Sequence, residues 1–260
     1  MRILYHDKPF KLTKDTFPFG VHEEATVHVV DNFLTPELHR FWDKQITNSN
    51  MWSKTNQVGS DSKTGLPQHS FWGGTFFNNM DDTDDKMPDG QDIHKKDTYF
   101  AHYFNRKCET DFGFTWVNFD YMGLNSQTQG LDGTCHNDCR PDAEWNLSIL
   151  WYTNTFWNPK WGGDLRFYGD QVDGGIQEDM DNHEIGRVKF KPNRLLLFDG
   201  RTSHGAEAPH PSARYMDRRS VVLRGTEVRL VSWEEQIREK TDKSRRFYRE
   251  VGDQLQEFRV

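Results

Sequence analysis

The hydrophobic positions of this chain change period along its length. Near the N-terminus, Val27-His-Val-Val-Asp-Asn-Phe33 is rich in β-branched residues and predicts a strand. Thr35 and Pro36 then supply an N-cap and a first helical residue. Leu38, Phe41, Trp42 and Ile46 recur at helical spacing, and Asn48-Ser-Asn50 ends the element. Met51 to Gly74 is polar with embedded aromatics at Trp52, Phe71 and Trp72, and Met80 to Gly90 is acidic; both read as loops. A second helix is expected from about Asp97 to Lys107. From Phe114 onward the apolar runs shorten. Strands are predicted over 114–121, 147–153, 165–168 and 218–224, and as a pair over 188–198 around a turn at Pro192-Asn193. Gly123 to Gly133 reads as a glycine- and polar-rich connection, and Gly162-Gly163-Asp164 as a turn. Ser232-Trp-Glu-Glu235 has the form of a capping box and opens a C-terminal helix that breaks near Gly252.

Many short strands between Gly, Pro, Asn and Asp turns predict a mainly β sandwich or barrel. The 260 residues suffice for one domain: 1–113 as supporting strand, helix and loops, 114–224 as the β core, and 225–260 as the C-terminal helix. Only 34% of residues are hydrophobic but 14% are aromatic, so the core is expected to rest on Phe and Trp. The net charge of -7 argues against general nucleic-acid binding, which would show a basic excess. No run of 18 apolar residues predicts a membrane span, and the first residues lack the apolar stretch of a signal peptide. Three cysteines do not complete a disulfide framework, which leads to the expectation of a reducing cytoplasm.

The chemistry concentrates at His136-Asn137-Asp138 and His204. Two imidazoles and one carboxylate are the facial ligand set of a non-heme Fe(II) with open positions. Residues two apart on a strand share a face, so His136 and Asp138 can grip one metal while His204 closes the site from another strand. A metal inside a β fold makes a jelly roll the natural architecture. A structural zinc reading would recruit Cys135 and Cys139, but Cys135 and His136 point to opposite strand faces and Cys108 stands alone. The cysteines are left as candidates for oxidation.

The order of the pieces is specific. Tyr121, His136-Asn-Asp138, Trp151-Tyr152-Thr153-Asn154, Gly162-Gly-Asp-Leu165, Pro192-Asn-Arg-Leu-Leu-Leu-Phe198, His204 and Arg218-Arg-Ser220 follow one another over residues 114–224. This series resembles the 2-oxoglutarate/Fe(II)-dependent oxygenases, nearest to their prolyl-4-hydroxylase-like branch. The resemblance implies a double-stranded β-helix (jelly-roll) core braced by N-terminal helices and a C-terminal helix. It implies Fe(II) on His136, Asp138 and His204, with 2-oxoglutarate and O2 as cosubstrates and ascorbate as a candidate reductant. The far carboxylate of 2-oxoglutarate falls to Arg218 with Ser220, while Arg214 and Arg219 compete for that place. Tyr121 and Tyr152 are the expected hydrogen-bond donors beside the cosubstrate. The implied reaction releases succinate and CO2 and oxidises an unactivated C–H bond of a small molecule or a peptidyl residue. In related halogenases a small residue replaces the carboxylate ligand, so Asp138 favours hydroxylation, desaturation or ring closure. The alternatives are a non-catalytic jelly-roll metal-binding or sensing protein, and a cupin-type metal enzyme that does not use 2-oxoglutarate. Arg166 is a candidate for a substrate carboxylate.

Overall fold

The computed structural model describes residues 1–60, 67–78, 95–131, 133–169 and 183–232, with 235 and 238 beyond them. Among the described residues, strands make up three sheets. The largest has eight strands. Its spatial order is β1 (Arg2–His6), β2 (Thr26–Val30), β10 (Leu195–Phe198), β7 (Leu147–Tyr152), β12 (Arg218–Gly225), β6 (Tyr121–Gln127), β4 (Pro67–Asn78) and β3 (Ser53–Ser60). β1 and β2 run parallel, and the other pairings are antiparallel. A second sheet is ordered β11 (His204–Ala206), β8 (Leu165–Tyr168) and β9 (Glu184–Val188). β13 (Glu227–Leu230) pairs with β5 (Phe114–Asn118). Among the described residues two α-helices accompany the sheets, α1 (Pro36–Thr47) and α2 (Lys95–Phe112).

The central strands of the large sheet, β7 and β10 among them, are buried on both faces. On one face Ile149, Trp151, Leu197 and Val221 pack with Ile46 of α1 and Phe104 of α2. On the other, Val29, Leu150 and Leu196 meet Leu165, Phe167 and Val188 of the second sheet. This is why β10 reads as an unbroken apolar run and β7 as one interrupted only by Ser148: successive side chains enter different cores. Thr35 caps α1, its Oγ1 accepting from the Leu38 N–H at 3.5 Å, with Pro36 in the first turn. Asn193 occupies the left-handed region at φ 59°, which its short polar side chain tolerates. Its Oδ1 accepts from Leu34 N–H at 3.0 Å and from Trp151 Nε1 at 3.2 Å, and its Nδ2 donates to Leu34 O at 2.7 Å. One turn residue thereby fastens the segment before α1 to the sheet.

Several elements differ from the expectation. The strand predicted over 114–121 is two strands in different sheets, β5 and β6. The predicted connection 123–133 is strand as far as Gln127, inside the large sheet. Its apolar residues, Met122 and Leu124, enter the helix-side core, whereas Gly123, Asn125 and Gln127 lie on the opposite face. A side chain at 123 would meet the Tyr121 hydroxyl at 2.0 Å, so glycine here makes room for that ring. The predicted loop 51–74 contains β3 and most of β4. α2 extends beyond its predicted span at both ends. The reciprocal bonds of the Ser232 capping box are formed: Ser232 N–H donates to Glu235 Oε2 at 2.8 Å, and Glu235 N–H to Ser232 Oγ at 3.2 Å. The acidic segment 80–90 and the break near Gly252 lie outside the described residues. Among the described residues no helix is long and apolar enough to cross a membrane.

Candidate active site

His136 and Asp138 sit outside the regular strands. His136 forms an isolated antiparallel bridge with His204, each N–H donating to the other's carbonyl at 3.0 Å. The bridge sets the two imidazoles side by side, 4.6 Å between ring centres. Asp138 N–H is anchored on Gly200 O at 2.7 Å. The continuous strand expected for the His-x-Asp triplet is thus replaced by two backbone anchors that bring the same three side chains together. His136 Nδ1 lies 3.0 Å from Thr134 O, and His204 Nδ1 lies 2.9 Å from Thr202 O. A carbonyl only accepts, so each Nδ1 carries the proton and each Nε2 presents its lone pair. Those Nε2 atoms stand 3.5 Å from Asp138 Oδ1 and Oδ2 respectively. The three ligand atoms lie within 4.8 Å of one another.

The surroundings fix the ligands' protonation. Burial alone would raise the Asp138 carboxyl, but Arg224 beside it, with His204 and His136, holds it well below the ordinary carboxylate range. Arg224 Nη1 donates to Asp138 Oδ1 at 2.8 Å, and Ser148 Oγ to Oδ2 at 2.8 Å. Burial pushes His204 down to about 4, against the pull of Asp138. A charged carboxylate and a neutral buried imidazole are the forms that bind a divalent cation. The His136 side chain is 29% exposed, against 3% for Asp138 and 6% for His204, so the site opens over His136. No cysteine joins this group among the described residues, and Cys135 and Cys139 are buried. Burial, with Asp138 nearby, raises the Cys139 thiol above its ordinary value, which disfavours the reactive thiolate.

A cavity of about 260 Å³ adjoins the ligands. Its floor is β12, whose alternate residues Arg218, Ser220, Val222 and Arg224 line it. Arg224 marks the metal end. Tyr121 is at that end too, its ring 4.5 Å from the Arg224 guanidinium carbon and its hydroxyl bonded with Thr75. Arg218 marks the far end and is 1% exposed. Its Nε donates to Gly163 O at 2.8 Å and its Nη1 to Gln127 Oε1 at 2.8 Å, with the guanidinium carbon 5.0 Å from the Tyr152 ring centre. Arg218 Nη2, Ser220 Oγ and Tyr152 Oη are buried and make no hydrogen bond of good geometry, although the Tyr152 hydroxyl lies close enough to the Arg218 guanidinium to interact with it. Ser220 and Tyr152 are register partners on adjacent strands, so all three groups belong to one patch. Buried polar groups are rarely left unpaired, and a carboxylate offers the acceptors that these donors lack.

The structure separates the competing arginines. Arg219 points to the opposite face, donating to Asp43 Oδ1 at 2.8 Å and to Asp217 Oδ1 at 2.7 Å. Arg214 is exposed. Arg166 does not meet the cavity; it is bound to Glu207 at 2.6 Å and faces Glu184. The sequence reading overlooked Arg224, Ser148 and Gln127. Arg224 was within reach, because it shares the period-two face of Arg218 and Ser220. Ser148 and Gln127 carry no local signal: one sits in an apolar strand and the other in a segment read as a connection.

Residues 122–223 match the family model described as the 2OG-Fe(II) oxygenase superfamily. The matched span contains His136, Asp138, His204, Arg218 and Ser220 and stops one residue short of Tyr121 and of Arg224. The chain finds no match among curated proteins. Many solved structures are similar to it, among them the following three. A Pseudomonas putida prolyl-4-hydroxylase is 14% identical over 77% of this chain and 92% of its own, with a TM-score of 0.45. A prolyl hydroxylase from Trichoplax adhaerens, in complex with a hypoxia inducible factor oxygen degradation domain peptide fragment, is 18% identical over 76% and 82%, with a TM-score of 0.43. An oxidoreductase of the 2OG-Fe(II) oxygenase family from Burkholderia pseudomallei is 12% identical over 77% and 85%, with a TM-score of 0.48. The matching family uses Fe(II), 2-oxoglutarate and O2, and the His136, Asp138 and His204 group fits the iron.

Proposed function

We propose that this chain, whose residues 122–223 match the 2OG-Fe(II) oxygenase superfamily, is an oxidoreductase of that kind that hydroxylates a C–H bond of a small molecule or a peptidyl residue and releases succinate and CO2. The observation that carries the reading is a two-ended cavity: a His-Asp-His ligand group at one end, and unsatisfied donors of Arg218, Ser220 and Tyr152 at the other. A dicarboxylate with one chelating end and one free carboxylate is complementary to both. A metal enzyme that does not use 2-oxoglutarate has no need of a buried arginine at the far end.

Iron with 2-oxoglutarate and O2 supplies the oxidising chemistry when bound. The chain's own residues do the rest. Thr134 and Thr202 hold the two histidines in the tautomer that offers Nε2. Arg224 and Ser148 keep Asp138 ionised and oriented. In this reading Arg218 anchors the far carboxylate of 2-oxoglutarate, helped by the Ser220 and Tyr152 hydroxyls. Tyr121 and Thr75 form the wall at the metal end, where a substrate would lie. Leu150, Leu165 and Val222 line the middle and limit water there. Residues 1–260 act as one domain, and the buried Cys108, Cys135 and Cys139, which form no disulfide, suit a reducing cytoplasm.

The test is turnover. With Fe(II), ascorbate and O2, the wild-type protein is expected to convert 2-oxoglutarate to succinate, and Asp138→Ala to fall to the background of free iron. Equal succinate formation by wild type and Asp138→Ala would contradict the reading.

A further inference from the structure

Gln127 is wholly buried and lies directly across the β6–β12 pairing from Arg218. Cross-strand partners share a face at close range. The Gln127 amide is used at both ends. Its Oε1 accepts from Arg218 Nη1 at 2.8 Å. Its Nε2 donates to Leu131 O at 2.9 Å and to Ala206 O at 3.3 Å. Leu131 is in the segment leading to His136, and Ala206 is on β11, two residues beyond His204. The amide orientation follows from these partners, since a guanidinium only donates and a carbonyl only accepts. Among side chains of this length the position is selective. Glutamate would turn an acceptor toward two carbonyl oxygens, and methionine would leave all three groups unpaired.

We infer that Gln127 is a positioning residue for 2-oxoglutarate binding: it fixes the Arg218 guanidinium in an orientation that keeps Nη2 unpaired, and it ties that cation to the strand carrying His204. This rests on the proposed use of 2-oxoglutarate. Gly163 O takes the Nε hydrogen and Gln127 one of the two Nη1 hydrogens, which leaves Nη2 as the guanidinium nitrogen with no hydrogen bond. The far carboxylate is received by Nη2 together with the Ser220 and Tyr152 hydroxyls. Without Gln127 the guanidinium can turn about its long side chain, and the three donors no longer converge. Gln127 borders the cavity, but its amide is spent on Arg218, Leu131 O and Ala206 O and bonds no metal ligand, so in this reading it acts through Arg218.

The experiment is calorimetric titration of Mn(II)-loaded full-length protein, without turnover, using 2-oxoglutarate and pyruvate as probes. Pyruvate has the chelating 2-oxo acid end but no second carboxylate. Gln127→Met is expected to weaken 2-oxoglutarate about tenfold, the scale of one hydrogen bond to a charged group, and to leave pyruvate unchanged. In an Arg218→Met background the same substitution should have no further effect, because the coupling runs through that side chain. Gln127→Glu is the second variant should Gln127→Met fail to fold; it neutralises Arg218 and should weaken 2-oxoglutarate at least as much, again sparing pyruvate. An unchanged 2-oxoglutarate affinity in a folded Gln127 variant, with Arg218→Met impaired, overturns the role of Gln127 and leaves the functional reading standing. Equal losses for both probes overturn it in favour of a general structural role. Absence of 2-oxoglutarate binding by the wild-type protein overturns both.

Discussion

The two faces of β12 carry adjacent arginines with opposite fates. Arg219, on the helix side, spends two of its nitrogens on Asp43 and Asp217, and Asp217 also accepts from Ser126 Oγ at 2.7 Å. Arg218, on the cavity side, is more deeply buried yet meets no carboxylate among the described residues. Its charge is held by a backbone carbonyl, an amide and an aromatic ring. Burying a charge without an ionic partner is expensive, and folding alone does not require it here. The difference teaches where to look for function: the buried arginine on the helix side has its carboxylates, whereas the one on the cavity side has none among the described residues.

The largest effect that would sharpen this contrast is on stability. Arg219→Ala leaves Asp43 in a buried position without its partner and should lower unfolding free energy by about 3–5 kcal/mol in urea titrations. The folded fraction should keep its 2-oxoglutarate affinity. Arg218→Ala should do the reverse, weakening 2-oxoglutarate by about a hundredfold, as truncation of a buried charged anchor does, with a smaller loss of stability. If both substitutions impaired binding equally, the division between the faces would be broken. Ser148→Ala, which removes one support of Asp138, should weaken metal binding by about tenfold or more in competition with a chelator.

The smallest effect is acid sensitivity on the helix side. His28 Nε2 is 2.8 Å from Thr16 O and its Nδ1 is 2.9 Å from His6 Nε2. Burial, with His6 and Arg2 nearby, lowers His28 from 6.5 to about 4. Between those values the unfolded chain takes up a proton that the folded chain refuses, so this contribution is complete above pH 6.5 and is lost as pH falls toward 4. Melts of His28→Gln should show a shallower loss of stability over that window than wild type. An identical slope would place the acid sensitivity elsewhere.

The legibility of the sequence followed the same division. Strands with two apolar faces, such as Leu147–Tyr152 and Leu195–Phe198, announced themselves because both sides enter a hydrophobic core. So did the ligands, since His136, Asp138, His204 and Arg218 are residue types with few other reasons to stand at that spacing. β6 was hidden because its cavity face is Gly123, Asn125 and Gln127, and a polar inner face mimics a loop. β4 was hidden likewise by Gly73, Gly74 and Thr75, which border the same cavity. The residues that make the site a site are those that spoil the strand pattern. Gln127 and Ser148 act through side chains remote in sequence, which local spacing does not report.

The most direct test of the central claim is visible absorption of the Fe(II)-loaded protein as 2-oxoglutarate is added without oxygen. Chelation by a 2-oxo acid at such an iron gives a weak metal-to-ligand charge-transfer band. The account predicts that the band forms in wild type and in the folded Arg219→Ala protein, needs far more 2-oxoglutarate in Arg218→Ala, and is absent in His136→Ala. Iron binding with no band in the wild-type protein, or a band equally strong in Arg218→Ala at the same 2-oxoglutarate concentration, would contradict it.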